Sequence, residues 1–174
     1  LPSTKSSNAR CGNVSTATGG GGVRYGTLEN CILYYNFAFS GNGNYISAAL
    51  SDSCTTPDPG GIRNTTQPPG FADTNGWCNL RLAAGSPCID AGTDVYGVTM
   101  DIRGRWRFDD SNTTNVQSAI DIGCYEYRNW YVNPSASGAN NGSSWIDAHT
   151  ELRISLANPD LDSGDGIWVR AGTY

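Results

Sequence analysis

One recurrence restricts the fold more than any other feature. Leu28-x-x-Cys31 comes back as Leu50-x-x-x-Cys54, 22 to 23 residues further on. A fixed period of that size marks a chain that stacks one supersecondary unit on the next. Cys31-Ile32-Leu33-Tyr34-Tyr35, bounded by Glu29-Asn30 and Asn36, and residues 46–50, after the turn Gly41-Asn42-Gly43-Asn44, are rich in β-branched or apolar side chains between turn formers. Such runs read as strands. With 22 glycines and only 16% charged residues in 174, little would sustain long helices and corners are plentiful, so an all-β chain is expected.

Stacking also bears on the cysteines. Parallel strands lie about 4.8 Å apart, inside the roughly 4.4–6.8 Å that a disulfide accepts between Cα atoms. Cys31 and Cys54, one period apart, are therefore expected to bond. Six cysteines with no C-x-x-C pattern suit disulfides and an oxidising compartment. Cys78 with Cys88 would close a short loop, leaving Cys11 and Cys124. The single His149 and the scattered cysteines lack the paired spacing of a zinc site.

A net charge of −5 gives no electrostatic reason to bind nucleic acid or an anionic membrane. No apolar run approaches the length of a membrane span. Leu1 is neither a methionine nor the start of a signal peptide, so a processed chain or a piece of a longer one is expected. Sequons at Asn13, Asn64, Asn112 and Asn141 permit N-glycosylation where the source has that machinery, which makes glycans candidate partners.

Along the chain, the glycine run 19–22 lacks the Lys-Ser/Thr of a phosphate loop and reads as a corner before a strand at 23–28. Pro57, Pro59, Gly60, Gly61, Pro68 and Pro69 make 55–70 a surface loop. Residues 71–82 alternate weakly. Beyond Tyr127, a strand at 130–133 is followed by a helix from Asp147 to Asn158-Pro159, with an apolar stripe of Ile146, Leu152, Ile154 and Leu156, then a strand at 167–169. Trp77, Trp106, Trp130, Trp145 and Trp168 are expected at core, corner or interface positions rather than stacked on sugars.

Chemistry is sparse. Asp90, Asp94, Asp101, Asp109, Asp110, Asp121 and Glu126 are the material of a calcium site or an acid–base pair. Arg103, Arg105 and Arg107 among them favour salt bridges and Asx turns instead. No catalytic residue is assigned and no cofactor is expected, with calcium at Asp90, Asp101 and Asp121 as the alternative. Asp160-x-Asp162-x-Gly164-Asp165 reads as a turn, since no Glu completes a calcium loop. His149 is expected on the polar, solvated side of the helix, with no nucleophile motif beside it.

Residues 85–127 carry G-S-P-C-I-D-A-G, M-D-I-R-G-R-W-R and A-I-D-I-G-C-Y-E-Y in that order. This stretch resembles the closing segment of bacterial surface proteins of the polymorphic-outer-membrane-protein and choice-of-anchor group. The matching residues are Ser86, Pro87, Ile89, Asp90, Ala91, Gly92, Asp101, Gly104, Asp121, Ile122, Gly123, Tyr125 and Glu126, and Cys124 replaces a small residue. Residues 128–174, with Y-V-N-P-S-A-S-G-A-N-N-G-S-S-W and S-G-D-G-I-W-V-R-A-G-T-Y, resemble the opening segment of the same group, whose helix caps the first coil. The resemblance implies a right-handed parallel β-helix with one short capping helix and irregular loops, outside the cell or on its surface. It also implies three parts: coils and a Pro/Gly-rich loop over 1–84, the closing segment over 85–127, and the opening strand–helix–strand of the next unit over 128–174.

Closing thus precedes opening. In that group A-G-T-Y is followed by one residue, a proline and a Ser/Thr-rich stretch, which is how this chain begins. Leading Tyr174 into the Leu1 of a neighbour restores the order. Across that join Val169-Arg170-Ala171-Gly172-Thr173 echoes Val23-Arg24-Tyr25-Gly26-Thr27 after about 28 residues, one generous coil. The expectation is a structural subunit partnered by itself, head to tail through Leu1, Pro2, Gly172, Thr173 and Tyr174, in an extracellular filament or stalk. The alternatives are a pectin-lyase-like carbohydrate-active enzyme, a non-catalytic surface adhesin and an arbitrary fragment of a long surface protein.

Overall fold

A computed structural model of the chain describes residues 8–11, 13–18, 20–75, 79–94, 97, 99–162 and 164–172, and the side chains of strand residues 8–11 and 14–18 are not among what it describes. Expectations for Trp77, Cys78, Leu1, Pro2, Thr173, Tyr174 and the Cys11 side chain lie outside it. The fold is broadly all-β. Its elements are β1 (Asn8–Cys11), β2 (Val14–Thr18), β3 (Gly26–Glu29), β4 (Cys31–Tyr34), β5 (Phe37–Ser40), β6 (Ala48–Ser51), β7 (Cys54–Thr55), β8 (Asn129–Val132), α1 (Leu152–Leu156) and β9 (Gly166–Val169). They fall into two compact units, Leu1–Glu126 and Tyr127–Tyr174, so the second begins one residue before the boundary expected from sequence. Residues 85–126 belong to the first unit and do not stand as a separate one.

Among the described residues of the first unit the named strands pair in parallel, β1–β4–β7, β2–β5 and β3–β6, while the isolated bridges Phe71–Leu82 and Met100–Trp106 are antiparallel. Asn8 lies opposite Cys31, Val14 opposite Phe37, Gly26 opposite Ala48, Ile32 opposite Cys54, and Val23 bridges Tyr45. Each partner lies 22 or 23 residues on, so the period in the sequence is a period in space. The corners repeat as well. Asn30 and Asp52, one period apart, are both buried and both left-handed, at φ 53° and 46°, a region that Asn and Asp enter more readily than other side chains. At another corner the Asn13 amide donates to Asn36 Oδ1 at 2.8 Å, and the Asn36 backbone N–H donates to Asn44 Oδ1 at 3.0 Å. After β7 the proline-rich stretch loops round and returns in parallel, with Cys54 bridged to Thr65.

These corners are tight. A Cβ on Gly43 would lie 2.1 Å from the Asn36 carbonyl oxygen, and one on Gly22 2.4 Å from that of Asn44. Because the obstruction is backbone, it cannot swing aside. Gly43→Ala is expected to cost about 1–3 kcal/mol, the usual range for overpacking, measured as a lower urea midpoint at unchanged slope. A wild-type midpoint would mean that the corner can widen.

All four residues of β4 are buried, because it is covered on both faces. Ile122 N–H donates to the Cys88 carbonyl at 2.8 Å and Gly123 N–H to that of Asn30 at 3.0 Å. Asn30 then grips Thr93 with both ends of its amide, at 2.9 Å from the Thr93 N–H and 2.7 Å to its carbonyl. Residues 88–93 and 120–123 thereby lie against the sheet, adding Cys88, Ile89 and Ile122 to a core of Cys31, Ile32, Leu33 and Leu50.

The structure corrects several expectations. The second strand starts at Ala48, two residues later than expected. In β5 it is Ala38 that is buried while Phe37 and Phe39 are 59% and 82% exposed, so the aromatic pattern there is inverted and no strand was legible. Cys31 and Cys54 do not bond to each other. The reason is parity: Cys54 lies opposite Ile32 and not Cys31. Side chains alternate along a strand, so a shift of one residue sends the two thiols to opposite faces.

In the second unit β8 and β9 pair in parallel, Trp130 opposite Ile167. The helix is a single short piece with no side-chain cap, beginning at Leu152 and not at Asp147. The Asp147 carboxylate instead accepts the Ala139 N–H at 2.8 Å and the Ser144 hydroxyl at 3.0 Å, which hold its pKa below the ordinary value. The apolar stripe is not the buried face: Ser155 is buried, while Ile146 and Leu156 are exposed. His149 is not solvated either. It is buried outside the helix, bridged to Val132, stacked on Trp130 and 2.6 Å from the Ser155 hydroxyl through Nδ1.

Candidate functional site

Three places bring together residues singled out in the sequence. The first is the carboxylate–arginine lattice of 90–126. Asp101 accepts the N–H groups of Arg103 at 2.8 Å and Arg105 at 3.1 Å, and Arg103 Nε at 2.7 Å. Burial raises the Asp101 pKa, but these donors outweigh it and hold the carboxyl below its usual range. Glu126, buried, meets Arg107 Nη1 at 2.5 Å and the Phe108 N–H at 3.2 Å. Burial pushes its pKa up against the pull of Arg107. Asp121 accepts the Asp90 N–H at 2.9 Å. Asp110 caps its own turn through Asn112 and Thr113.

Asp90 stands apart. It is fully buried, its backbone is left-handed at φ 49°, Oδ2 accepts the Asp110 N–H at 3.2 Å, and Oδ1 has no partner among the described residues. Burial first, then the charges of Asp109 and Asp110, push its pKa up to about 7. The carboxylates here largely bind backbone and guanidinium groups. Among the described residues no three of His, Cys, Asp or Glu converge as a metal ion would require, and Asp90, Asp101 and Asp121 are not brought to one point. The distant Asp94 lies exposed, and Asp162 and Asp165 form a turn into β9, with Asp165 also accepting the Trp130 indole N–H at 3.1 Å.

The second place is the edge of β9. β8 is flanked on one side by His149, whose N–H donates to the Tyr131 carbonyl at 2.9 Å, and on the other by β9. Gly166 and Arg170 donate their N–H groups to β8, to Arg128 and Val132. By strand alternation those of Ile167 and Val169 point the other way, to an edge that pairs with no strand among the described residues. Gly172, of the expected junction, lies exposed just beyond. Beside it is a hollow of about 380 Å³ lined by Asn133, Ser135, Trp145, Ile146 and Arg170.

The third is the cysteine set. Cys31, Cys54 and Cys88 are buried and Cys124 is half-buried. The Cys31 Sγ donates to the Glu29 carbonyl and that of Cys54 to the Gln67 carbonyl, at 3.2 and 3.3 Å. Of the tryptophans, Trp130 is buried, while Trp106, Trp145 and Trp168 are exposed. The sequon asparagines differ. Asn13 and Asn112 are exposed with their amides on Asn36 and Asp110, Asn64 is half-buried and grips the Leu50 and Gly60 carbonyls, and Asn141 is exposed with its Oδ1 accepting the Ser143 N–H. Sequence reasoning missed Asp90 as the singular carboxylate, since its setting depends on contacts remote along the chain.

No helix among the described residues is long and apolar enough to cross a membrane. Set against family models, curated proteins and solved structures, the chain matches none.

Proposed function

We propose that this chain is a structural module, a short parallel β-helix that adds end to end to copies of itself. The observation that supports it most is the single increment of 22–23 residues shared by three separate parallel sheets. A chain that advances one strand per sheet per turn leaves its terminal strands with open edges, and such edges accept further strands. The echo between Val169–Thr173 and Val23–Thr27 selects the occupant of the β9 edge: the corresponding stretch of the next copy, whose Val23 already bridges Tyr45 on its other side. A heterologous contact of this kind does not close, and so builds a filament. The lattice of 90–126 then serves as a rigid lock on the closing segment, with no reaction assigned to it.

Val169→Pro tests this directly. It removes an N–H that faces the open edge while leaving the Gly166 and Arg170 bonds to β8 in place. The wild-type chain is expected to form end-to-end assemblies in sedimentation velocity and electron microscopy, and Val169→Pro to sediment as a monomer with an unchanged circular dichroism spectrum. A wild type that stays monomeric at high concentration overturns the proposal.

A further inference from the structure

The parity that separates Cys31 from Cys54 brings another thiol to Cys54. Cys54 and Ile32 share one face of the β1–β4–β7 sheet, and this is the face over which 88–93 and 120–123 are laid: a Cβ at Gly123 would sit 3.0 Å from Ile32 Cδ1. Cys88 arrives on that layer. The Cys54 thiol and then burial raise the Cys88 pKa, and burial and then the Cys54 and Cys88 sulfurs raise that of the Tyr34 hydroxyl, so the three side chains belong to one buried cluster at the seam between sheet and layer. Both cysteines are fully buried, and each is held by its neighbours: the Cys88 N–H by the Ser86 hydroxyl at 3.1 Å, its carbonyl by Ile122 N–H at 2.8 Å, and the Cys54 Sγ by the Gln67 carbonyl.

We propose that Cys54 and Cys88 form a disulfide that staples the closing segment onto the sheet. The bond is independent of the filament reading. Its chemistry is thiol–disulfide exchange with a small disulfide such as oxidised glutathione. One cysteine thiolate attacks that disulfide and releases one glutathione thiol; the second then displaces the other glutathione from the mixed disulfide. Two electrons and two protons pass from the cysteines to the oxidant, giving one protein disulfide and two glutathione thiols. In the folded, reduced chain the Cys54 thiol and then burial push the Cys88 pKa well up, and no reagent reaches either sulfur. Exchange therefore takes place while the segment docks, and the finished bond is shielded from reduction.

The test is refolding of the full chain in a mixed reduced and oxidised glutathione buffer, an acid quench, alkylation of free thiols and peptide mapping without reduction. Trypsin and chymotrypsin together cut between Cys31 and Cys54 at Tyr34 and Tyr35, and between Cys78 and Cys88 at Arg81. The expected product is one cross-linked pair holding Cys54 and Cys88. Reducing it is expected to lower the melting temperature by roughly 5–15 °C, a difference absent in Cys88→Ser and retained in Cys124→Ser. Cys54 or Cys88 recovered alkylated, or linked to any other cysteine, overturns the assignment.

Discussion

Replacing Glu126 by alanine is expected to destabilise the first unit by about 3–5 kcal/mol, the penalty for stranding one partner of a buried ion pair. The Glu126 side chain is 1% exposed and that of Arg107 10%. The carboxylate neutralises Arg107, accepts the Phe108 N–H, and is joined to the rest of the lattice through its own backbone, where its N–H reaches Asp101 Oδ2 at 3.4 Å and its carbonyl accepts Arg103 Nη2 at 3.0 Å. Alanine would leave a guanidinium charge in a site where Arg107 Nε already lacks a partner among the described residues. The measurement is a urea titration, read as a fall in midpoint at unchanged slope. Arg107→Met added to Glu126→Ala should recover part of the loss, since the charge that the single variant strands is gone. A double-mutant cycle separates that coupling from the packing lost at each position. A loss below about 1 kcal/mol for Glu126→Ala, the range of exposed pairs, would show that water reaches the site.

Asp90→Asn is expected to act in the opposite direction and only on one side of a pH range. The folded-state pKa of Asp90 is raised from 3.8 to about 7. A group raised in this way supports the fold fully below its unfolded value and loses that support as pH climbs to the folded one. Wild-type stability attributable to Asp90 should therefore fall between about pH 4 and pH 7 and then level off. Asparagine stays neutral throughout, tolerates the left-handed backbone, keeps an oxygen for the Asp110 N–H, and turns an N–H₂ towards the negative charges of Asp109 and Asp110. The variant should equal wild type near pH 4 and exceed it by on the order of 2–4 kcal/mol at pH 8. Urea midpoints at pH 4, 6 and 8 provide the comparison. A variant less stable than wild type at pH 8 would mean that the Asp90 anion is held by a favourable partner.

Much of the architecture was legible, for reasons particular to certain residues. The period could be read because repeats of equal length return chemically similar residues to paired positions, as with Leu28 and Leu50, which lie opposite each other. The β4 strand could be read because a segment covered on both faces has no polar side to confuse the pattern. β5 could not, since Phe37 and Phe39 lie outside and Ala38 inside. The helix was read too early because Asp147, a good cap by type, is engaged by Ala139 and Ser144. His149 was read as solvated because nothing local announces Ser155 and Trp130 as its neighbours. At the lattice, acid and base side chains intermixed in the sequence foretold salt bridges, but not which carboxylate would be left without a cation.

The sequence by itself determined strand-forming runs such as β4, the corners that need Asn, Asp or Gly, and the increment from one paired strand to the next, all properties of residues close together along the chain. The tertiary structure alone decided which face each thiol takes and how readily each carboxyl ionises. Face depends on whether 22 or 23 residues separate two paired positions, and one residue in a corner reverses it. Ionisation depends on burial and on charges that arrive from 19 to 36 residues away, as Asp109, Asp110 and Glu126 do at Asp90.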